Sequence, residues 1–356
     1  MSRAARAKRI ATAAAFGGGS LGALSAAVVG LVYGETKLAR RRIKPRQVPP
    51  PVADGIWTAH GVPSHRTPLR VAVLGDSSAA GYGLAEAAET PAAVLAVGLS
   101  ALSRRPVQVT CTAVVGAQSS WLAAQVEKVL PARPELVYIM IGANDVTHRI
   151  RRSVSVRHLA SAVTSLREAD CEVVVGTCPD LGTIRPIAQP LRWIARRISR
   201  TLAAAQTIAV VEAGGRTVSL GDVLGPRFAK EHDLFSEDAF HPSARGYAAA
   251  IEVSLPSAAA ALGLPTHTES AGPFLTTKAR PVAQAAARAA AHPGTEVEAI
   301  QVGGEDRGRR GRWAHLLRRS SDAVVDGTAD AAPPAQARQG TQQAAGRTGA
   351  GRRAGR

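Results

Sequence analysis

Between residues 69 and 262 the chain alternates between short runs that are apolar throughout and longer stretches with helical spacing. Nothing else in the sequence restricts the fold so tightly. The runs 69–74, 107–115, 136–141, 172–176 and 207–211 read as strands. The stretches 90–102, 120–130, 154–168, 189–206 and 243–262 read as helices, the first after a Thr-Pro start. A strand with no polar face has to be covered on both sides, and intervening helices supply that cover. The pattern therefore predicts a three-layer α/β/α sandwich, flavodoxin-like, around a parallel sheet of about five strands. In such sheets ligands bind beyond the carboxyl ends of the strands, so the residues that follow each strand are where chemistry should sit.

The 356 residues are 46% hydrophobic, enough for a substantial core, and carry a formal net charge of +17. The charge is not spread evenly. Residues 1–46 hold +9 and residues 305–356 hold +6, which leaves +2 for everything between. A domain that grips phosphates would carry its basic residues on folded elements. Here the basicity belongs to the ends, so no specific nucleic-acid partner is expected.

Those ends set the expected domain organisation. Residues 1–9 form a basic start, and 10–33 is an uncharged run long enough to span a bilayer as a helix. An anchor, a cleaved secretory signal and an amphipathic surface segment all fit this run; its length favours the anchor over a signal core. Basic residues on both flanks leave the orientation open. The chain is thus expected to be membrane-anchored or exported, through 10–33. Residues 34–68 read as a basic, Pro-rich linker and 69–264 as the folded domain. After about 265 the strands are expected to stop. An Ala/Arg-rich helix fits 277–292, and 265–356 as a whole reads as a low-complexity basic tail, largely disordered.

Cys111, Cys171 and Cys178 show no zinc-type spacing with histidine. Cys171 and Cys178 read as buried thiols, with a single disulfide as the alternative. No metal or cofactor is expected. No Gly-x-Ser-x-Gly elbow and no Walker loop is present.

The residues after the strands form a coherent set: Gly75-Asp76-Ser77-Ser78, Gly116-Ala117-Gln118 and Gly142-Ala143-Asn144-Asp145. Asp238-Ala239-Phe240-His241-Pro242 precedes the last helix. A serine hydroxyl becomes a nucleophile only when a base takes its proton, and the base must be held in one tautomer by a third group. Ser77, His241 and Asp238 are the candidates for these roles, with capping of the last helix as the plainer reading of Asp238. The N–H groups of Ser77 and Gly116 and the amide of Asn144 are candidate oxyanion donors. Ser78, His148 and Asp180 are possible substrate-lining residues. For His148 a solvated loop position is the plainer reading, and for Asp180 a loop cap. Asp76 reads as a turn residue. The arginines at 192, 196, 197 and 200 read as a solvated helix face.

The four blocks, in this order and each at a strand end or before the last helix, resemble the SGNH (GDSL-type) serine hydrolase family across residues 69–262. Ser78 stands where the family usually has Leu. The resemblance implies an α/β/α sandwich, no metal, and ester hydrolysis through an acyl-serine. The expected substrate is an ester-bearing small molecule, a lipid or an acylated carbohydrate. An acyltransferase on the same site, with a sugar or lipid hydroxyl as acceptor, is the alternative. A non-catalytic module that binds anionic surfaces through its tails is a third.

Overall fold

The computed structural model describes residues 48–221, 231–265, 275–276, 280–292, 295–300 and 313–318, and most of 30–43. In chain order the main elements are β1 (Gly55–Trp57), β2 (Leu69–Gly75), α1 (Ser77–Ala80), α2 (Pro91–Ser103), β3 (Val107–Cys111) and α3 (Leu122–Val129). Then come β4 (Leu136–Met140), α4 (Ala143–Thr147), α5 (Arg152–Glu168), β5 (Glu172–Gly176), α6 (Leu191–Glu212), β6 (Arg216–Val218) and α7 (Ala244–Ala261). The last are β7 (Leu275–Thr276), β8 (Arg280–Pro281), α8 (Val282–Ala289), β9 (Glu296–Ile300) and β10 (Trp313–Arg318).

The parallel strands lie in the order β3-β2-β4-β5-β6. Side chains alternate strictly between two apolar layers. Val71, Val73, Tyr138 and Val174 face Leu95 and Leu99 of α2 and Ile251 of α7. Ala72, Leu74, Val137, Ile139 and Val175 face Leu122 and Val126 of α3 and Leu159 and Val163 of α5. This is the expected α/β/α sandwich. The chain order of the sheet reverses between β2 and β4, which opens a crevice beyond their carboxyl ends.

The structure differs from the sequence reading at three places. Residues 207–211 are not a strand. They continue α6, because Leu202, Ala203, Gln206, Thr207, Val210 and Val211 form one buried helical stripe. Helix ends at Glu212, Gly214 adopts a φ of +84°, and the fifth parallel strand is β6 at Arg216–Val218. Within the expected linker, β1 pairs antiparallel with β3, and Trp57 donates its indole N–H to the Ala53 carbonyl at 2.8 Å.

The strands also do not stop at 265. β9 pairs antiparallel with β6, β10 with β9, and β7 and β8 with β10. α8 covers this extension, with Val282, Ala285 and Ala289 packed against Val211 and Val297. Residues 319–356, for which disorder is expected, lie outside the described residues. So do residues 10–29 of the expected membrane segment. Among the described residues no helix is long and apolar enough to cross a membrane.

Candidate active site

β2 ends at Gly75, whose φ is +139°. A Cβ here would stand 1.9 Å from the Met140 carbonyl oxygen, so only glycine lets β2 and β4 close up at this point. Asp76 then caps the short helix α1, its carboxylate accepting from the N–H of Ser78 at 2.9 Å. Burial raises the Asp76 carboxyl from 3.8 to about 6. Ser77, the first residue of α1, is left at the crevice, buried but for 8% of its surface.

The loop before α7 brings the partners. His241 Nε2 lies 3.1 Å from Ser77 Oγ, and His241 Nδ1 lies 2.7 Å from Asp238 Oδ2. The other oxygen of Asp238 accepts from Ser236 Oγ at 2.7 Å and from the N–H groups of Phe240 and His241, both at 2.9 Å. Burial alone would raise this carboxyl. The hydrogen bonds from the His241 ring, the two backbone N–H groups and Ser236 outweigh burial and hold it at about 2. Tyr82 and Phe240 pack against the imidazole, with ring centroids at 4.7 and 4.9 Å. The cap of α7 is Ser243, not Asp238.

Gly116 follows β3 on an exposed turn with φ +83°, and open space surrounds the position of its missing Cβ. Among the described residues the N–H groups of Ser77 and Gly116 donate to nothing. Asn144, in the first turn of α4, donates one amide hydrogen to the Ala117 carbonyl at 3.0 Å, which leaves its second hydrogen available. The neighbouring Asp145, 1% exposed, accepts from the Ser119 hydroxyl at 2.7 Å and from the Ser119 N–H. Asn144 and Asp145 thus tie the Gly116 loop to α4.

Of the possible lining residues, Ser78 borders a cavity of about 40 Å³ together with Leu181, Ile184, Phe240 and His241. Asp180 borders it as well, but its side chain is fully enclosed. It accepts from the Gly182 N–H at 2.8 Å and pairs with Arg200 at 2.9 Å and Arg196 at 3.2 Å. Two arginines read as a solvated face therefore brace a loop beside the site. His148 is exposed and bonds the Asn144 carbonyl through Nδ1 at 2.9 Å. All three cysteines are free thiols.

The model of the GDSL-like lipase/acylhydrolase family matches residues 73–249. A GDSL-like esterase of Mycobacterium tuberculosis is 40% identical over 247 residues, which is 66% of this chain and 79% of that protein. The chain belongs to the GDSL-like lipase/acylhydrolase family. As a member it is a serine ester hydrolase. Solved structures that align with the GDSL domain include TesA, at 20% identity and a TM-score of 0.43 over 53% of this chain and 97% of that one. An acetylxylan esterase of Geobacillus stearothermophilus aligns at 18% identity, with a TM-score of 0.43 over 57% and 97%.

Two residues at the site escape sequence reading. Gln125 and Gln206 are buried on the inward faces of α3 and α6. Gln125 bonds both backbone groups of Gly75, and Gln206 ties the Cys178 N–H to the Ile141 carbonyl. Their signal is an amide set at a core-facing helix position, between Leu122 and Val126 and between Leu202 and Val210.

Proposed function

We propose that Ser77 is the nucleophile of a carboxylic-ester hydrolase, with His241 as its base and Asp238 as the group that orients His241. One observation carries this reading: the continuous chain of contacts from Ser77 Oγ through both His241 nitrogens to Asp238. Ser77 Oγ attacks the ester carbonyl while its proton passes to His241 Nε2. His241 gives that proton to the departing alcohol oxygen, which leaves the acyl group on Ser77. It then takes a proton from water, whose oxygen displaces the acyl group as a carboxylic acid, and Ser77 recovers its proton. The N–H groups of Ser77 and Gly116 and the second amide hydrogen of Asn144 are the donors suited to the oxyanion. Removing one such donor costs about 10²–10³-fold in kcat.

Ser77→Ala is expected to lower p-nitrophenyl acetate hydrolysis by at least about 10³-fold with an unchanged melting temperature. Full activity in this variant would refute the assignment. With glycerol added, acetate should remain the main product. Transfer to glycerol that outpaces hydrolysis would make the protein an acyltransferase using the same intermediate. The uncharged run 10–33 supports a membrane-anchored or exported location, and protease accessibility on intact cells reads the topology.

A further inference from the structure

Beside the small cavity at His241 lies a second, wider groove of about 380 Å³. It is lined by Arg185, Arg192 and Arg196, with Gln189, Trp193 and Thr183 between them. No acidic side chain is among the described residues that line it. Thr183 borders both the groove and the cavity lined by His241, so the two adjoin at this residue.

Two of the arginines are held in place from behind. Arg192 donates Nε to the Ile187 carbonyl and a terminal nitrogen to the Arg185 carbonyl, both at 2.7 Å. Arg196 is fixed through Nε by Asp180 at 3.2 Å. Each keeps further N–H donors on its guanidinium. A guanidinium already oriented in this way gives up less freedom when it binds an oxyanion. A carboxylate of the chain lies outside this lining, at the start of the same helix. Glu35 Oε2 takes the N–H of Leu191, at the start of the helix that carries Arg192 and Arg196, at 3.0 Å.

We propose that this groove binds an anionic group, a phosphate or a carboxylate, on the alcohol portion of the ester substrate. The proposal rests on the roles assigned above to Ser77 and His241. The departing oxygen must receive its proton from His241 Nε2, so the alcohol lies on the His241 side of Ser77. On that side the cavity adjoins the arginine-lined groove at Thr183. Trp193, 57% exposed, supplies an apolar wall along which the linking carbons of the alcohol can lie.

The test compares kcat/KM for monoacetylglycerol phosphate with that for monoacetylglycerol, in the intact protein and two variants. Gln189→Glu adds a negative charge to the groove while leaving an oxygen to accept the backbone N–H of Trp193, which Gln189 accepts at 3.2 Å. Arg192→Gln/Arg196→Gln removes the charges themselves. The intact protein should prefer the phosphorylated ester, and each variant should reduce that preference at least about tenfold. Co-sedimentation with phosphatidylglycerol against phosphatidylcholine vesicles identifies the source of the anion. Binding to the anionic vesicles that Gln189→Glu abolishes makes it a lipid headgroup; selectivity in solution without vesicle binding makes it a soluble ester. Equal preference in all three proteins, with no vesicle binding, overturns the subsite. Fluorophosphonate labelling of Ser77 in the same preparations separates that result from failure of the underlying reading. An unlabelled, inactive intact protein would bring both down.

Discussion

Gln125 holds both backbone groups of Gly75, accepting its N–H at 2.7 Å and donating to its carbonyl at 2.9 Å. A side chain from α3 thereby finishes β2 two residues before Ser77, beyond the last register pair of β2 with β3 at Val73 and Cys111. The Gly75 carbonyl has a second donor in the Val114 N–H at 3.1 Å, so the buried N–H depends on Gln125 more heavily. Gln125→Ala is expected to cost about 1–3 kcal/mol, since it strands a buried donor. It should also lower kcat, because the turn that presents Ser77 loses its anchor. Urea denaturation and ester hydrolysis measure the two effects. Glu127→Ala, exposed on the same helix, is the control and should alter neither.

Asp76 and Asp238 pull the acid stability of the protein in opposite directions. Burial raises Asp76 from 3.8 to about 6, so the folded state holds its proton more tightly than the unfolded chain. The resulting stability is full below about pH 4 and is lost as the pH climbs through about 6. Asp76→Asn can still accept from the Ser78 N–H but cannot ionise. Between pH 4 and pH 7 its unfolding free energy should therefore gain about 3 kcal/mol on the wild type. A difference that is the same at both pH values would show that the carboxyl is not raised.

Asp238 shows the reverse sign. Burial opposes its charge, but the bonds from His241, Phe240 and Ser236 win and hold it at about 2. Its contribution is present above about pH 4 and fades as the pH falls toward 2. Asp238→Asn should thus be less stable than the wild type near neutrality by about 2 kcal/mol, with the gap closing in acid. A gap that persists unchanged at pH 2 would contradict this.

How much of this was legible beforehand follows from how local each signal is. The repeated alternation of apolar strands and helices, and the four site blocks beside them, are short-range patterns. Ser77, Gly116, Asn144 and the Asp238/His241 pair can accordingly be picked out from their neighbours in sequence. The misassigned strand at 207–211 carries β-branched residues, yet its apolar stripe runs on without a break from Leu202, and tertiary burial of that stripe overrides propensity. The C-terminal strands were hidden by an arginine- and alanine-rich composition. Glu296-Val297-Glu298-Ala299-Ile300 does alternate, which is the period of a strand with one covered face. Gln125 and Gln206 act on backbone far away in the chain, and only the fold shows what they bond.

The C-terminal extension yields its own test. Ending the chain after residue 264 would uncover the β6 edge that β9 now occupies and expose Val211. An unpaired strand edge beside apolar surface invites aggregation. That truncation should lower the melting temperature and the soluble yield, whereas ending after residue 318 should leave both as they are. Equal behaviour of the two would mean that the antiparallel strands contribute nothing to the domain.

The central claim is that the acyl group passes through Ser77. The most direct measurement is to quench the protein with acid during turnover of p-nitrophenyl acetate, digest it, and locate the added acetyl mass. The account predicts an acetyl group on Ser77, absent from Ser77→Ala and accumulating when His241 is replaced by alanine only as fast as that variant still reacts. An acetyl group on another residue, or full turnover with Ser77 replaced, would contradict it.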